Sequence, residues 1–142
     1  MTTTGPTRLH ASCVALAGRG VLIMGPSGAG KSALAVQLMA LGADLVSDDQ
    51  TEIWAEGDRL CARPPASIAG LIEARGIGLL QAPYKARADI VLVVDLGQTE
   101  TERLPPRRHV TLLGMELPLV MGLSHNHFCA SILCYLKGSR FA

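Results

Sequence analysis

Gly25-Pro26-Ser27-Gly28-Ala29-Gly30-Lys31-Ser32 follows directly on the apolar run Val21-Leu22-Ile23-Met24 and forms a complete G-x-x-x-x-G-K-[ST] phosphate-binding loop. Backbone N–H groups can wrap a polyphosphate only where side chains leave the approach open, so glycine is needed at fixed points. In such a loop Lys31 reaches the β- and γ-phosphates and the Ser32 hydroxyl ligates Mg²⁺. A strand before the loop and a helix after it complete the expected context. The stretch predicts a site for a nucleoside triphosphate or a similar polyphosphate.

Around that loop, the 142 residues read as a single domain over 1–142, long enough to bury a core. Hydrophobic residues make up 49% of the chain and charged residues 18%, which argues against disorder. A net charge of +1 gives no electrostatic footprint for nucleic acid or for an anionic membrane. No apolar run reaches the roughly 18 residues needed to span a bilayer. Met1-Thr2-Thr3-Thr4-Gly5-Pro6-Thr7 lacks the apolar centre of a secretory signal, so a cytoplasmic location is expected. Cys13, Cys61, Cys129 and Cys134 show no C-x-x-C pair and read as small buried hydrophobes. His125-Asn126-His127 reads as a helical start with solvated imidazoles rather than a metal site.

The pattern predicts a loose tail over residues 1–7, a strand from Arg8 to Leu16, a tight turn at Ala17–Gly20 and a second strand from Val21 to Met24. A helix follows from Lys31 to Leu41, with Leu34, Leu38 and Leu41 on one face and Gly42 at its end. Leu45-Val46-Ser47 is a short strand ending in Asp48-Asp49, and Glu52–Ala55 with Arg59–Ala62 reads as a hairpin. Pro64-Pro65 opens a loop expected to reach Gly78. Ile90–Asp95 is apolar almost throughout and reads as a buried strand. Gly97–Arg108 reads as a loop, followed by short strands near Val110–Leu113 and Glu116–Val120. Ser124 is placed to cap a last helix ending before Gly138. A strand ahead of the phosphate-loop strand, joined by a tight turn, implies a partly antiparallel α/β sheet.

The candidate chemistry collects near the loop. With Gly18-Arg19 at the turn's tip, Ala17 faces Gly20 and His10 falls opposite Ser27. There it would orient a carboxylate or contact a phosphate, or else sit on an edge strand facing solvent. Asp48 and Asp49 come one helix and one return strand after Lys31, which brings them to the carboxyl edge of the sheet. Two adjacent acids suit two tasks: supporting Mg²⁺, and accepting the proton of an attacking hydroxyl. Asp95, ending an apolar strand, competes for the metal role. Glu73 and Arg75 form a charged pair framed by glycines, either a loop salt bridge or a metal ligand with a phosphate clamp.

Together, His10, Gly25–Ser32, Leu45-Val46-Ser47-Asp48-Asp49 and Ile72-Glu73-Ala74-Arg75-Gly76-Ile77-Gly78 resemble the catalytic domain of the HPr kinase/phosphorylase family over roughly residues 8–120. The resemblance implies a phosphate-loop domain of the phosphoenolpyruvate-carboxykinase-like type with a mixed, partly antiparallel sheet. It implies an ATP-dependent serine protein kinase acting on HPr or an HPr-like phosphocarrier, its reverse phosphorylase reaction, and a homo-oligomer. It places ATP on Gly25–Ser32 and Mg²⁺ on Ser32 and Glu73. In the same pattern Asp49 is the general base, supported by Asp48 and His10, while Lys31 stabilises the transferred phosphoryl group. Arg75 and Arg103, the latter before Leu104, match further family positions. Beside longer members of the family the chain resembles the short form without an N-terminal domain, the segment between Gly78 and Ile90 is brief and without their glycine-rich stretch, and Met121–Ala142 matches no family motif. Two other readings share the loop, a small-molecule kinase and a nucleotide-sensing module, whereas a GTPase would need an Asn-Lys-x-Asp motif that is absent.

Overall fold

The structure, a computed structural model, describes residues 5–142. Its strands are β1 (Thr7–Leu9), β2 (Ser12–Leu16), β3 (Arg19–Met24), β4 (Asp44–Ser47), β5 (Thr51–Glu56), β6 (Arg59–Arg63), β7 (Leu71–Ala74), β8 (Gly78–Gln81), β9 (Ala88–Thr99), β10 (Arg108–Leu112) and β11 (Met115–Gly122). Two helices, α1 (Lys31–Ala40) and α2 (Phe128–Lys137), complete the set. The main sheet runs β1-β5-β6-β9-β3-β2-β4, with the β10–β11 hairpin joined to β9 through β11. β3 and β11 pair with β9 in parallel, and the other pairings are antiparallel. The expected α/β class with a partly antiparallel sheet is what forms.

Period-two alternation divides the interior into two layers. Val21, Ile23, Leu92 and Val94 face the helices and pack with Leu34, Leu38, Ile132 and Leu136. Leu22 and Val93 face the other way, against Ile53, Leu60 and Leu117. Helices therefore cover one face, and the outer strands close the other.

The β2–β3 turn differs from the sequence expectation. Ala17 (φ 52°) and Gly18 (φ 79°) form a two-residue turn with left-handed backbone at both positions, and Leu16 pairs with Arg19. Pairing stops at Ser12–Ile23, so His10 is not opposite Ser27. The strand expected from Arg8 to Leu16 is two strands, because the chain changes neighbours at His10-Ala11: β1 joins β5, while β2 joins β3 and β4. The tail expected over residues 1–7 falls mostly outside the described residues, and Thr7 already belongs to β1.

Helix α1 ends one residue early in a Schellman arrangement, with Ala43 N–H donating to Leu38 C=O and Gly42 N–H to Met39 C=O. Gly42 supplies the left-handed φ of 116° this closure requires, and Leu41 is turned out, 55% exposed. The Pro64–Gly78 stretch is not a loop throughout: a 3-10 turn at Ala66–Ile68 precedes β7, which pairs with β8 in a separate two-stranded sheet. β9 likewise continues through Thr99, into the segment expected to be a loop. Ser124 does not cap α2; His127 occupies that position without a side-chain bond, and His125–His127 form the approach to the helix. Cys13, Cys61 and Cys129 are buried as expected, but Cys134 is exposed.

Ion pairs tie the outer strands together. Glu52 receives Arg8 and Arg63, both at 2.9 Å, and Glu100 receives Arg108 at 3.0 Å. Hydrogen bonds from these guanidinium groups are the main cause holding both carboxyls below the usual glutamate range. A carboxyl lowered in the folded state contributes stability above its unfolded pKa and loses it as pH falls through the folded value. Thermal unfolding followed by circular dichroism is therefore expected to show the melting temperature falling as pH drops below about 4. Glu52→Gln should flatten that fall, and an unchanged acid slope would contradict the pairing.

Candidate functional site

The loop from Gly25 to Gly30 leaves the carboxyl end of β3 and enters α1 at Lys31. Gly28 (φ 83°) and Gly30 (φ 100°) are left-handed, and a Cβ placed on either would meet nothing within 4 Å. The space in front of both is open. No side chain caps α1, so its first-turn N–H groups remain for an anion at the positive end of the helix dipole. Lys31 is 6% exposed, and its ammonium donates to the carbonyls of Gly25 (2.8 Å) and Pro26 (3.1 Å). The chain thus folds its own lysine across the mouth of the loop.

β4 lies antiparallel to β2, which lies antiparallel to β3, so β4 ends at the same sheet edge as the loop. That topology delivers Asp48 to Ser32. Asp48 is 7% exposed; its Oδ1 accepts from the hydroxyls of Ser32 (2.7 Å) and Ser12 (2.8 Å), and its Oδ2 from the Glu73 amide (3.2 Å). Three separate parts of the chain, β2, α1 and β7, converge on one carboxylate. Among the described residues Asp48 forms no ion pair, so its charge rests on hydrogen bonds alone.

Asp49 points elsewhere. His10 Nε2 donates to Asp49 Oδ1 at 2.6 Å, and both side chains are open to solvent, 44% and 60% exposed. Asp49 has φ 67°, and Gln50 N–H donates to Asp48 C=O across it at 2.7 Å, a three-residue γ-turn in its uncommon positive-φ form. Aspartate tolerates left-handed backbone better than most residues, yet such a turn persists only where its surroundings fix it. Buried hydroxyls do so: Ser12 Oγ accepts from Asp49 N–H (3.1 Å), Ser47 Oγ donates to Gln50 C=O, and Thr51 Oγ1 donates to Ala11 C=O (2.8 Å). None of these hydroxyls was singled out from the sequence. In an apolar strand a serine reads as an ordinary interruption, and only the cross-strand register shows what it faces.

The remaining candidates are placed as follows. Glu73 lies on β7 with its side chain exposed and its amide on Asp48. Arg75 is exposed in the turn between β7 and β8, and Arg103 is exposed between β9 and β10. Among the described residues neither arginine is bonded to the acidic pair or to the loop. Asp95 pairs in register with Met24, beside the loop's entry, but its carboxylate oxygens accept from Gly97 N–H and Gln98 Nε2, both at 2.8 Å. Its carboxylate is bonded within the stretch of β9 just after it, where the register with β11 shifts, and among the described residues makes no bond to Ser32.

An α/β sheet with a phosphate loop at its carboxyl edge, a lysine within that loop and a carboxylate held on the loop serine defines a phosphate-loop domain of the kinase-like fold class. The sequence matches the HPr Serine kinase C-terminal domain family over residues 2–120, and the chain belongs to that family. It is 37% identical over 131 residues to the HPr kinase/phosphorylase of Alkaliphilus metalliredigens, covering 81% of this chain and 42% of that protein. Against the HPr kinase/phosphorylase of Cupriavidus necator it is 36% identical over 124 residues, covering 79% and 38%. The chain thus spans about two fifths of the length of these relatives. The fold is similar to the solved structure of the Hpr(Ser) kinase/phosphatase from Coxiella burnetii, with a TM-score of 0.74 and 23% identity, covering 93% of this chain and 99% of that one. Among the described residues no helix is long and apolar enough to cross a membrane.

Proposed function

We propose that the chain transfers the γ-phosphoryl group of ATP to a serine hydroxyl of HPr or an HPr-like phosphocarrier. The observation that carries the proposal is the pairing of Asp48 on Ser32 with Asp49 on His10. One carboxylate is buried against the phosphate loop, and its neighbour is open to an incoming hydroxyl.

Mg²⁺ is implied by the family, and the donor set fits it. Ser32 keeps its oxygen lone pairs because its proton is committed to Asp48, and the carboxylate beneath it has no cationic partner among the described residues. Mg²⁺ needs only one or two protein oxygens besides phosphates and waters, so a cluster of three acids is not required. Ser32 would hold it, with Glu73 as the exposed carboxylate on β7. When bound, the ion would supply positive charge against the negative charge that builds up during transfer.

The chain's residues supply the rest. Asp49 takes the proton of the attacking hydroxyl while that oxygen bonds to the γ-phosphorus. The bond from phosphorus to the β–γ bridging oxygen breaks, and ADP leaves. His10 holds the carboxylate toward the acceptor, and Lys31 exchanges its loop carbonyls for phosphate oxygens. In the phosphorylase direction an oxygen of inorganic phosphate would bond to the phosphoserine phosphorus, the serine oxygen would leave with the proton that Asp49 returns, and pyrophosphate would form. Arg75 and Arg103 are assigned to phosphate and transition-state charge by the family pattern, a role that requires an approach on substrate binding.

Two hollows, of about 590 and 450 Å³, lie elsewhere: one between α1 and the loop before α2, the other beside the Ala17-Gly18 turn. Neither is lined by the phosphate loop or the acidic pair, and what favours an acceptor presented on a protein surface is that Asp49 and His10 stand open to solvent. Incubation with γ-labelled ATP and purified HPr tests the proposal directly. Phosphoserine on HPr is expected, whereas label on a small hydroxyl compound alone would move the assignment to a metabolite kinase. ATP binding without transfer would mark a nucleotide-sensing module.

Gly30→Val provides a separate check on the cradle. A β-branched residue at φ 100° is strained by roughly 1–2 kcal/mol and projects into the open space where phosphate would sit. ATP binding measured by calorimetry should be lost while the folded state survives.

A further inference from the structure

We propose that Ser12 is the positioning residue for the acidic pair, setting the geometry of both carboxylates through one buried hydroxyl. Ser12 is fully buried at the start of β2. Its proton goes to Asp48 Oδ1 at 2.8 Å, and its oxygen accepts the Asp49 amide at 3.1 Å. A serine hydroxyl has one proton to give and lone pairs to receive, so this arrangement fixes the direction of both bonds. The same oxygen therefore ties the residue that touches the phosphate loop to the residue that faces the acceptor.

The need for such a tie follows from the turn. Asp49 occupies a left-handed γ-turn, a conformation an aspartate leaves readily unless held. Ser47 and Thr51 secure the turn's later side, through Gln50 C=O and Ala11 C=O. Only Ser12 holds the amide of Asp49 itself among the described residues. Without it, Asp49 is free to relax toward an extended backbone, which swings its carboxylate away from His10. Asp48 would keep Ser32 and the Glu73 amide, so the phosphate loop would be little disturbed. Loss of Ser12 should thus reach the transfer step and spare nucleotide binding.

This role rests on Asp49 being the base, and the test separates the two. The full chain is assayed with γ-labelled ATP and HPr as Ser12→Ala, Ser12→Cys, Ser12→Thr, Asp49→Asn and the Ser12→Ala/Asp49→Asn double variant, with thermal unfolding recorded for each. A displaced base is expected to lower kcat by about 10- to 100-fold in Ser12→Ala, with KM for ATP unchanged. Ser12→Cys, which keeps the volume, should behave likewise if Ser12→Ala folds poorly, and Ser12→Thr should restore most of the rate. Adding Ser12→Ala to Asp49→Asn should cost nothing further, because the residue being positioned is already gone. Normal kcat in both Ser12→Ala and Ser12→Cys beside an inactive Asp49→Asn would overturn the positioning role alone. A full additional loss in the double variant would do the same, by showing that Ser12 acts on the fold at large. Full transfer by Asp49→Asn would instead remove the base assignment beneath it.

Discussion

Asp49→Asn should lower kcat for phosphoryl transfer by about 10²- to 10⁴-fold, the range associated with loss of a positioned base. Nucleotide binding should persist. The amide keeps the size of the carboxylate and one oxygen for His10, but it cannot take the hydroxyl proton. Nothing in the loop depends on this side chain: Lys31 rests on Gly25 and Pro26, and Ser32 on Asp48. The turn itself is also retained, since Ser12 grips the backbone amide and asparagine tolerates left-handed φ as well as aspartate does. Titration with ATP and Mg²⁺ should therefore give near-unchanged affinity alongside the collapsed rate. Parallel loss of affinity and rate would place Asp49 in nucleotide binding rather than in proton transfer. His10→Ala should cost less than Asp49→Asn, because it frees the carboxylate without removing it.

Much of this arrangement was legible in the residues, and the boundary of legibility is physical. Gly25–Ser32 is a local pattern, so its position between a strand and a helix could be read without tertiary information. The return of Asp48 to the loop followed from chain length alone, because one helix and one short strand leave little other choice, whereas Asp49 turns to His10 instead. Register was harder. A turn with left-handed backbone at Ala17 goes against the preference for glycine or asparagine there, so Gly18-Arg19 was the better local guess and the pairing came out shifted. β8, exposed along all its residues, carries no alternation to betray it, and the prolines and glycines around β7 spoke for a loop. Leu41 fits the apolar face of α1 by spacing, yet the Schellman closure ends the helix before it. Ser12 was invisible for another reason: its partners, Asp48 and Asp49, lie in the turn just after β4, joined to it only by cross-strand contact.

The second large effect is on stability, and it comes from Asp48→Ala. The carboxylate removes the hydrogen-bonding need of three donors: the fully buried Ser12 hydroxyl, the Ser32 hydroxyl and the Glu73 amide. Truncation leaves those donors behind. Each buried donor left without a partner costs about 1–3 kcal/mol, and Ser32, which is only partly buried, can turn to water instead. The Glu73 amide is likewise only partly buried, so the Ser12 donor carries the effect, a loss of about 1–3 kcal/mol, or a fall in melting temperature on the order of 5–10 °C for a chain of this size. Asp48→Asn should lose less, because its carbonyl oxygen still accepts from one side while its amide faces a donor on the other. Asp48→Ala should also demand more Mg²⁺ for transfer, since the Ser32 hydroxyl loses the acceptor that aims its lone pairs outward. A melting temperature unchanged in Asp48→Ala would mean that the three donors have other partners in solution. The convergence of β2, α1 and β7 on this one side chain would then have no energetic content, and neither would the site built around it.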